Sequence, residues 1–200
     1  MPPHRMGAAL VLAATALTVG ALVLRADAPE RRLVAAASVA APSGIDVQFA
    51  DMMIMHHAQA VRMSRVLVAK PGVPERIRLI AEFIVRDQQR EIDETNAWLT
   101  AWGEQPVDAA GPGMHGGGDA AAHGMLTDAQ LRELDRAGDR RAADLFLRLM
   151  IEHHRGAITM SRSLLDGDGG RNVYIHGMAK HVIREQTAEN DAMRALLPAG

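Results

Sequence analysis

The sequence predicts an all-α protein, an antiparallel four-helix bundle made of two repeated helical hairpins, preceded by an apolar N-terminal helix. Three observations predict it. The stretch F-A-D-M-M-I-M-H-H-A-Q-A-V-R-M-S-R from Phe49 to Arg65 recurs as F-L-R-L-M-I-E-H-H-R-G-A-I-T-M-S-R from Phe146 to Arg162, 97 residues later. In each copy the apolar positions recur at helical spacing. A second amphipathic stretch follows each copy, and A-E-F-I-V-R-D-Q-Q-R-E from Ala81 resembles A-K-H-V-I-R-E-Q-T-A-E from Ala179. The repeated unit is therefore a whole hairpin, and two of them give a bundle with a pseudo-two-fold axis.

Residues 1–28 read as a secretory signal or a membrane anchor: residues 6–24 are almost wholly apolar and follow Arg5. Ala26-Asp27-Ala28 resembles a cleavage site, although Pro29 directly after it is unfavourable. Either reading exports the domain from the cytoplasm and leaves a membrane tether through residues 6–24 as one outcome. An Ala-rich, flexible tether spans 29–42. The bundle occupies 43–198, with hairpin one at 43–102, a Gly-rich loop at 103–126 and hairpin two at 127–198.

Ser43 and Asp46 suit a capping box for a first long helix running to about Ala69. Lys70-Pro71-Gly72-Val73-Pro74 is a tight connection, and Pro74 suits the start of the second helix, which ends near Trp102-Gly103. The loop from Gly103 to Leu126 carries Met114-His115 and His123-Gly124-Met125. Thr127 and Gln130 form a second capping box for a short helix to Ala137. Gly138 breaks it, and the next long helix runs from about Arg140 to Leu165. Asp166-Gly167-Asp168-Gly169-Gly170 looks like a calcium loop only superficially, since later ligand positions are wrong; it reads as a linker. Asn172 caps the last helix.

The composition bounds the rest. Apolar residues make up 48% of the chain and aromatics only 3%, so Leu, Ile, Val, Ala and Met must fill the core. A formal net charge of −2 with no basic face argues against a nucleic-acid partner. The absence of cysteine excludes disulfides and a lipoprotein anchor. Nothing in the pattern sets an oligomeric state.

Rotation of roughly 100° per residue brings Phe49, Met53, His56, His57, Ala60 and Met63 within one core-facing arc. Phe146, Met150, His153, His154, Ala157 and Met160 repeat it. Polar residues between them, among them Asp51, Gln59 and Arg62, and Arg148, Glu152 and Arg155, point mostly away. The second helices place Gln88 and Glu91, and Gln186 and Glu189, where an apolar residue is expected.

Imidazole and thioether together suit a soft or borderline metal: copper as Cu(I) or Cu(II), with zinc as the alternative. Met53-x-x-His56, Met150-x-x-His153 and Met178-x-x-His181 put sulfur and nitrogen one turn apart. Gln88, Glu91, Gln186 and Glu189 are candidates to orient the imidazole nitrogens that do not bind metal. No Glu stands three residues before a His, which excludes a ferritin-type di-iron centre, and no His-Glu-x-x-His supports a zinc protease. The competing bland reading is that single core methionines are packing and that the His pairs form a polar core network.

The doubled M-x-x-H-H-x-x-A-x-x-M helix, Met53 to Met63 and Met150 to Met160, resembles the family called domain of unknown function 305. Gly124-Met125-Leu126-Thr127 and the pairs Gln88/Glu91 and Gln186/Glu189 also match it, over roughly Ile45 to Leu197. The resemblance implies a ferritin-like four-helix fold, export and, for some members, copper binding linked to copper tolerance. Carried over, it implies Met53, His56, His57, Met63, Met150, His153, His154 and Met160 as metal ligands, with Met125 contributed by the loop. The terminal Met-rich runs of some members are missing, which weighs against high-capacity storage. The expectation is a non-enzymatic, exported copper-binding protein for buffering or tolerance. The alternatives are a metal-dependent oxidase in the bundle core, a b-type haem bundle, and a metal-free interaction module.

Overall fold

The computed structural model describes residues 40–108 and 123–197, and these form five helices and no strand. They are α1 (Gly44–Val68), α2 (Glu75–Ala101), the short α3 (Asp128–Arg136), α4 (Asp139–Asp166) and α5 (Val173–Arg194). The four long helices are the bundle that the doubled hairpin predicts. The signal or anchor segment, most of the tether, and Met114 and His115 in the Gly-rich loop lie outside the described residues. Among the described residues, no helix is long and apolar enough to cross a membrane.

Local chemistry sets the helix ends. Ser43 Oγ accepts from the backbone N–H of Asp46, and Asp46 Oδ2 accepts in return from the Ser43 N–H at 2.9 Å. Such a box satisfies two N-terminal N–H groups at once, and losing a cap costs about 1 kcal/mol. Asp46 has a second task. It is fully buried, and its Oδ1 accepts from the Gly170 N–H at 2.6 Å, tying the start of α1 to the α4–α5 turn. Gly170 sits there at φ +69°, a conformation that favours glycine. Thr127 and Gln130 repeat the capping box at α3, and Asn172 Oδ1 accepts from Tyr174 N–H at the start of α5.

Helices α1 and α2 pack as one hairpin and α4 and α5 as the other, and α1 lies against α4 to join them. The short α3 rests on both α1 and α4. Apolar packing divides into two clusters. One holds Met63, Leu67, Ile84, Phe146, Leu147 and Met150; the other holds Phe49, Met53, Ile54, Leu99, Met160 and Ile175. Along α1 and along α4 the histidine pair falls between the two clusters. The core is thus two greasy ends with a polar layer in the middle.

Candidate metal centre

The polar layer is the histidine repeat. His56, His57, His153 and His154 are all buried, with no more than 1% of any of them exposed. The rings of His56 and His153 meet across the α1–α4 contact, with centroids 3.7 Å apart and planes inclined at 35°. Within each pair the ring centroids are 6.5 and 6.3 Å apart, so His57 and His154 flank the central two.

Each flanking histidine is backed by a carboxylate from the other helix of its own hairpin. His154 Nε2 donates to Glu189 Oε2 at 2.6 Å. His57 Nε2 stands at the same 2.6 Å from Glu91 Oε2, less well aligned. His56 Nε2 donates to the carbonyl of His123 at 3.1 Å. An acceptor at Nε2 holds the proton there and leaves Nδ1 with its lone pair. The Nδ1 atoms of His56, His57 and His154, and both nitrogens of His153, are buried without a protein partner. Leaving a polar atom buried and unpaired costs about 1–3 kcal/mol, so four such rings in one layer need an explanation.

Electrostatics keep these lone pairs available. Burial, and then the neighbouring imidazoles, hold His56 and His153 far below the ordinary histidine value, so both are neutral at pH 7. Burial alone would push the Glu91 carboxyl up. Contact with His57 and the charges of His181 and Arg90 outweigh it, and Glu91 lies below its ordinary value. A carboxylate behind an imidazole is the outer support seen for metal-ligating histidines, where it fixes the ring and raises its basicity.

The four repeat methionines are buried on either side of the layer. Met53 of α1 shares a cluster with Met160 of α4, and Met63 of α1 with Met150 of α4. Each end thus draws one thioether from each copy, as antiparallel helices require. Met125 is partly buried in the loop that leads into α3. Gln88 and Gln186 are more deeply buried than Glu91 and Glu189, yet their side-chain oxygens reach no donor. The ring partners are the glutamates.

One expectation is corrected. Helical phase directs Gln59 away from the core, but it is only 3% exposed. Its side chain brackets Leu126: Nε2 donates to the Leu126 carbonyl at 3.1 Å, and Oε1 accepts from the Leu126 N–H at 2.6 Å. The equivalent position in the second copy is Gly156. A Cβ built there would lie 1.9 Å from the His123 carbonyl oxygen and 2.8 Å from Gly124 Cα. Gly124 itself adopts φ +78°. The segment 123–126 therefore crosses α4 at a glycine, reaches His56 with a carbonyl and is clasped by Gln59. The physical reason for the missed inward turn is a buried backbone that needs partners, an override of helical phase.

The donor set fits a thiophilic or borderline ion: buried imidazoles with unpartnered nitrogens, thioethers packed on either side of them, and carboxylates only behind the two flanking rings. Such an ion would draw on these imidazoles, of which those of His56 and His153 meet at 3.7 Å between centroids.

Comparison with known proteins gives a family and solved structures of similar fold. The profile of DUF305, "Domain of unknown function (DUF305)", matches residues 46–197. A DUF305 fragment from Deinococcus radiodurans is similar at 27% identity and a TM-score of 0.67, over 78% of this chain and 97% of that one. A DUF305 protein from Streptomyces coelicolor, described as secreted, is similar at 27% identity and 0.64, over 76% and 89%. CopM in its Cu(I)-bound form is similar at 30% identity and 0.57, over 75% and 93%. No curated protein matches the chain.

Proposed function

The chain belongs to the DUF305 family, and from that premise we propose that it is an exported copper-binding protein that buffers copper or confers tolerance to it. The observation that carries the reading is the layer of four buried imidazoles whose Nδ1 atoms all lack a protein partner, two of them, His56 and His154, with Nε2 directed to an oxygen. Copper, as cargo, satisfies those nitrogens, and Met53, Met63, Met150 and Met160 lie in the packing on either side of the layer. The similarity to CopM, solved in a Cu(I)-bound form, supports the choice of metal. The similarity to a protein described as secreted, together with the apolar N-terminus, supports export. Zinc remains the competing cargo, since imidazole accepts both. The role proposed is that of a binder: the layer offers metal donors, and the carboxylates of Glu91 and Glu189 beside it face His57 and His154.

The test is a Cu(I) titration against a chromophoric chelator, with Zn2+ in parallel, using wild type, His56→Ala and His153→Ala. Because these two rings stack on each other, each variant is expected to lose the same ion. Undiminished Cu(I) binding in both variants would remove the reading, and firm Zn2+ binding without Cu(I) would reassign the metal.

A further inference from the structure

Glu91 uses both of its oxygens. While Oε2 lies at His57, Oε1 lies 2.8 Å from His181 Nε2 on α5. Asp87, one turn before Glu91 on α2, completes a group whose ligand atoms all fall within 4.8 Å of one another. Donors bonded at about 2.0–2.2 Å to one ion stand roughly 3 Å apart, so Glu91 Oε1 and His181 Nε2 are already near that spacing, and a carboxylate oxygen of Asp87 lies within 4.8 Å of them.

We propose that Asp87, Glu91 and His181 form a second metal site, open to solvent and suited to a borderline divalent ion such as Zn2+. It does not rest on the copper reading of the core. Three observations carry it. The first is access: a cleft of about 350 Å3 opens over Glu91, lined by Arg90, Glu94, Thr95, Tyr174, Met178 and His181. The second is donor chemistry. One imidazole and two carboxylates prefer a divalent ion over Cu(I). The neighbouring sulfur, that of Met178, already faces the Thr95 hydroxyl at 3.7 Å.

The third is a break in the repeat. At the shift of 98 that aligns α2 with α5, Glu91 corresponds to Glu189 and Asp87 to Glu185, but His181 corresponds to Phe83. Phe83 is exposed on the other hairpin. The core layer needs no counterpart of His181, since Glu189 supports His154 without one. His181 is thus an addition on one side of the bundle that the doubled core does not explain.

Charges around the group are compatible with an ion. Asp87 and Glu94 both pair with Arg90. Arg184 donates to His181 Nδ1 at 3.0 Å and also reaches Glu185 at 2.9 Å. When a metal takes Nε2 the proton moves to Nδ1, and the exposed guanidinium stays with Glu185. Because Glu91 is shared, an ion on the surface and the imidazole of His57 compete for one carboxylate.

The experiment is a Zn2+ titration of the whole chain by competition, in wild type, His181→Phe and Asp87→Asn, with Cu(I) titrated in parallel. His181→Phe installs the residue of the other hairpin at a partly exposed position, and circular dichroism verifies the helix content. The expected result is that wild type binds one more equivalent of Zn2+ than His181→Phe, that Asp87→Asn weakens this equivalent at least tenfold, and that Cu(I) stoichiometry is unchanged. Superimposable Zn2+ isotherms for wild type and His181→Phe overturn the proposal whatever the Cu(I) result. Loss of Cu(I) binding in the core variants bears on the core reading alone.

Discussion

His56 and His153 stack with ring centroids 3.7 Å apart at the contact that joins the two hairpins. The residues that define the repeat therefore also meet one another across it. Both rings are neutral in the fold, and charging either one would bury a cation beside its neighbour.

That arrangement predicts a pH dependence for the metal-free protein. His56 and His153 are held far below their ordinary value of about 6.5 by burial first and by neighbouring imidazoles second. Above that value folded and unfolded chains bind the same protons at these sites. Below it the unfolded chain takes up protons that the folded chain refuses. Stability is then present in full above about pH 6.5 and falls by up to about 1.4 kcal/mol per histidine per pH unit on acidification. Urea unfolding at pH 7.5 and 5.5 should show the lower midpoint at pH 5.5, and equal midpoints would contradict it.

Met53→Leu and Met150→Leu test whether the thioethers are ligands. Both side chains are fully buried, and Met to Leu conserves volume, so each substitution should cost less than about 1.5 kcal/mol of stability. Cu(I) affinity should fall at least tenfold, well beyond any change for Cu(II). Equal effects on the two oxidation states would leave these methionines as packing.

Glu189→Gln separates support of the ring from ligation. Glutamine keeps the size of the side chain and removes the charge that holds the proton on His154 Nε2. Removing such an outer partner lowers metal affinity by about 10–100-fold. Competition titration should show that loss with circular dichroism unchanged; an unaltered affinity would mean that His154 is not a ligand.

Gly156→Ala addresses the loop. Alanine gains about 1 kcal/mol of helix propensity over glycine, but its Cβ would strike the His123 carbonyl oxygen and Gly124 Cα, both backbone atoms. Overpacking of this kind costs about 1–3 kcal/mol, so a net loss of stability is expected. Thermal unfolding should register a lower midpoint, and a raised one would show that the loop yields freely.

The bundle was legible because its signals are local. Helical periodicity, the Ser43/Asp46 and Thr127/Gln130 boxes and the Asn172 cap each act over a few residues, and all three caps are present. The histidine layer was legible because it is written twice. The register between helices was not. It decides that Glu91 and Glu189 reach imidazoles while the oxygens of Gln88 and Gln186 reach no donor. It also brings His181 of α5 to Glu91 of α2. Gln59 misled because phase alone ignores the demand of a buried backbone at Leu126. A signal for it existed in the mismatch between Gln59 and Gly156, two positions after each histidine pair.

That mismatch makes the two halves of the bundle non-interchangeable. A side chain at position 156 would meet the backbone of His123 and Gly124 where the linking segment crosses α4, and a glycine at position 59 would leave both backbone groups of Leu126 without the side chain that clasps them. Two helices written on one pattern thus acquire opposite duties: one grips the connection between the hairpins and the other gives way beneath it, so a pseudo-symmetric bundle carries a built-in polarity.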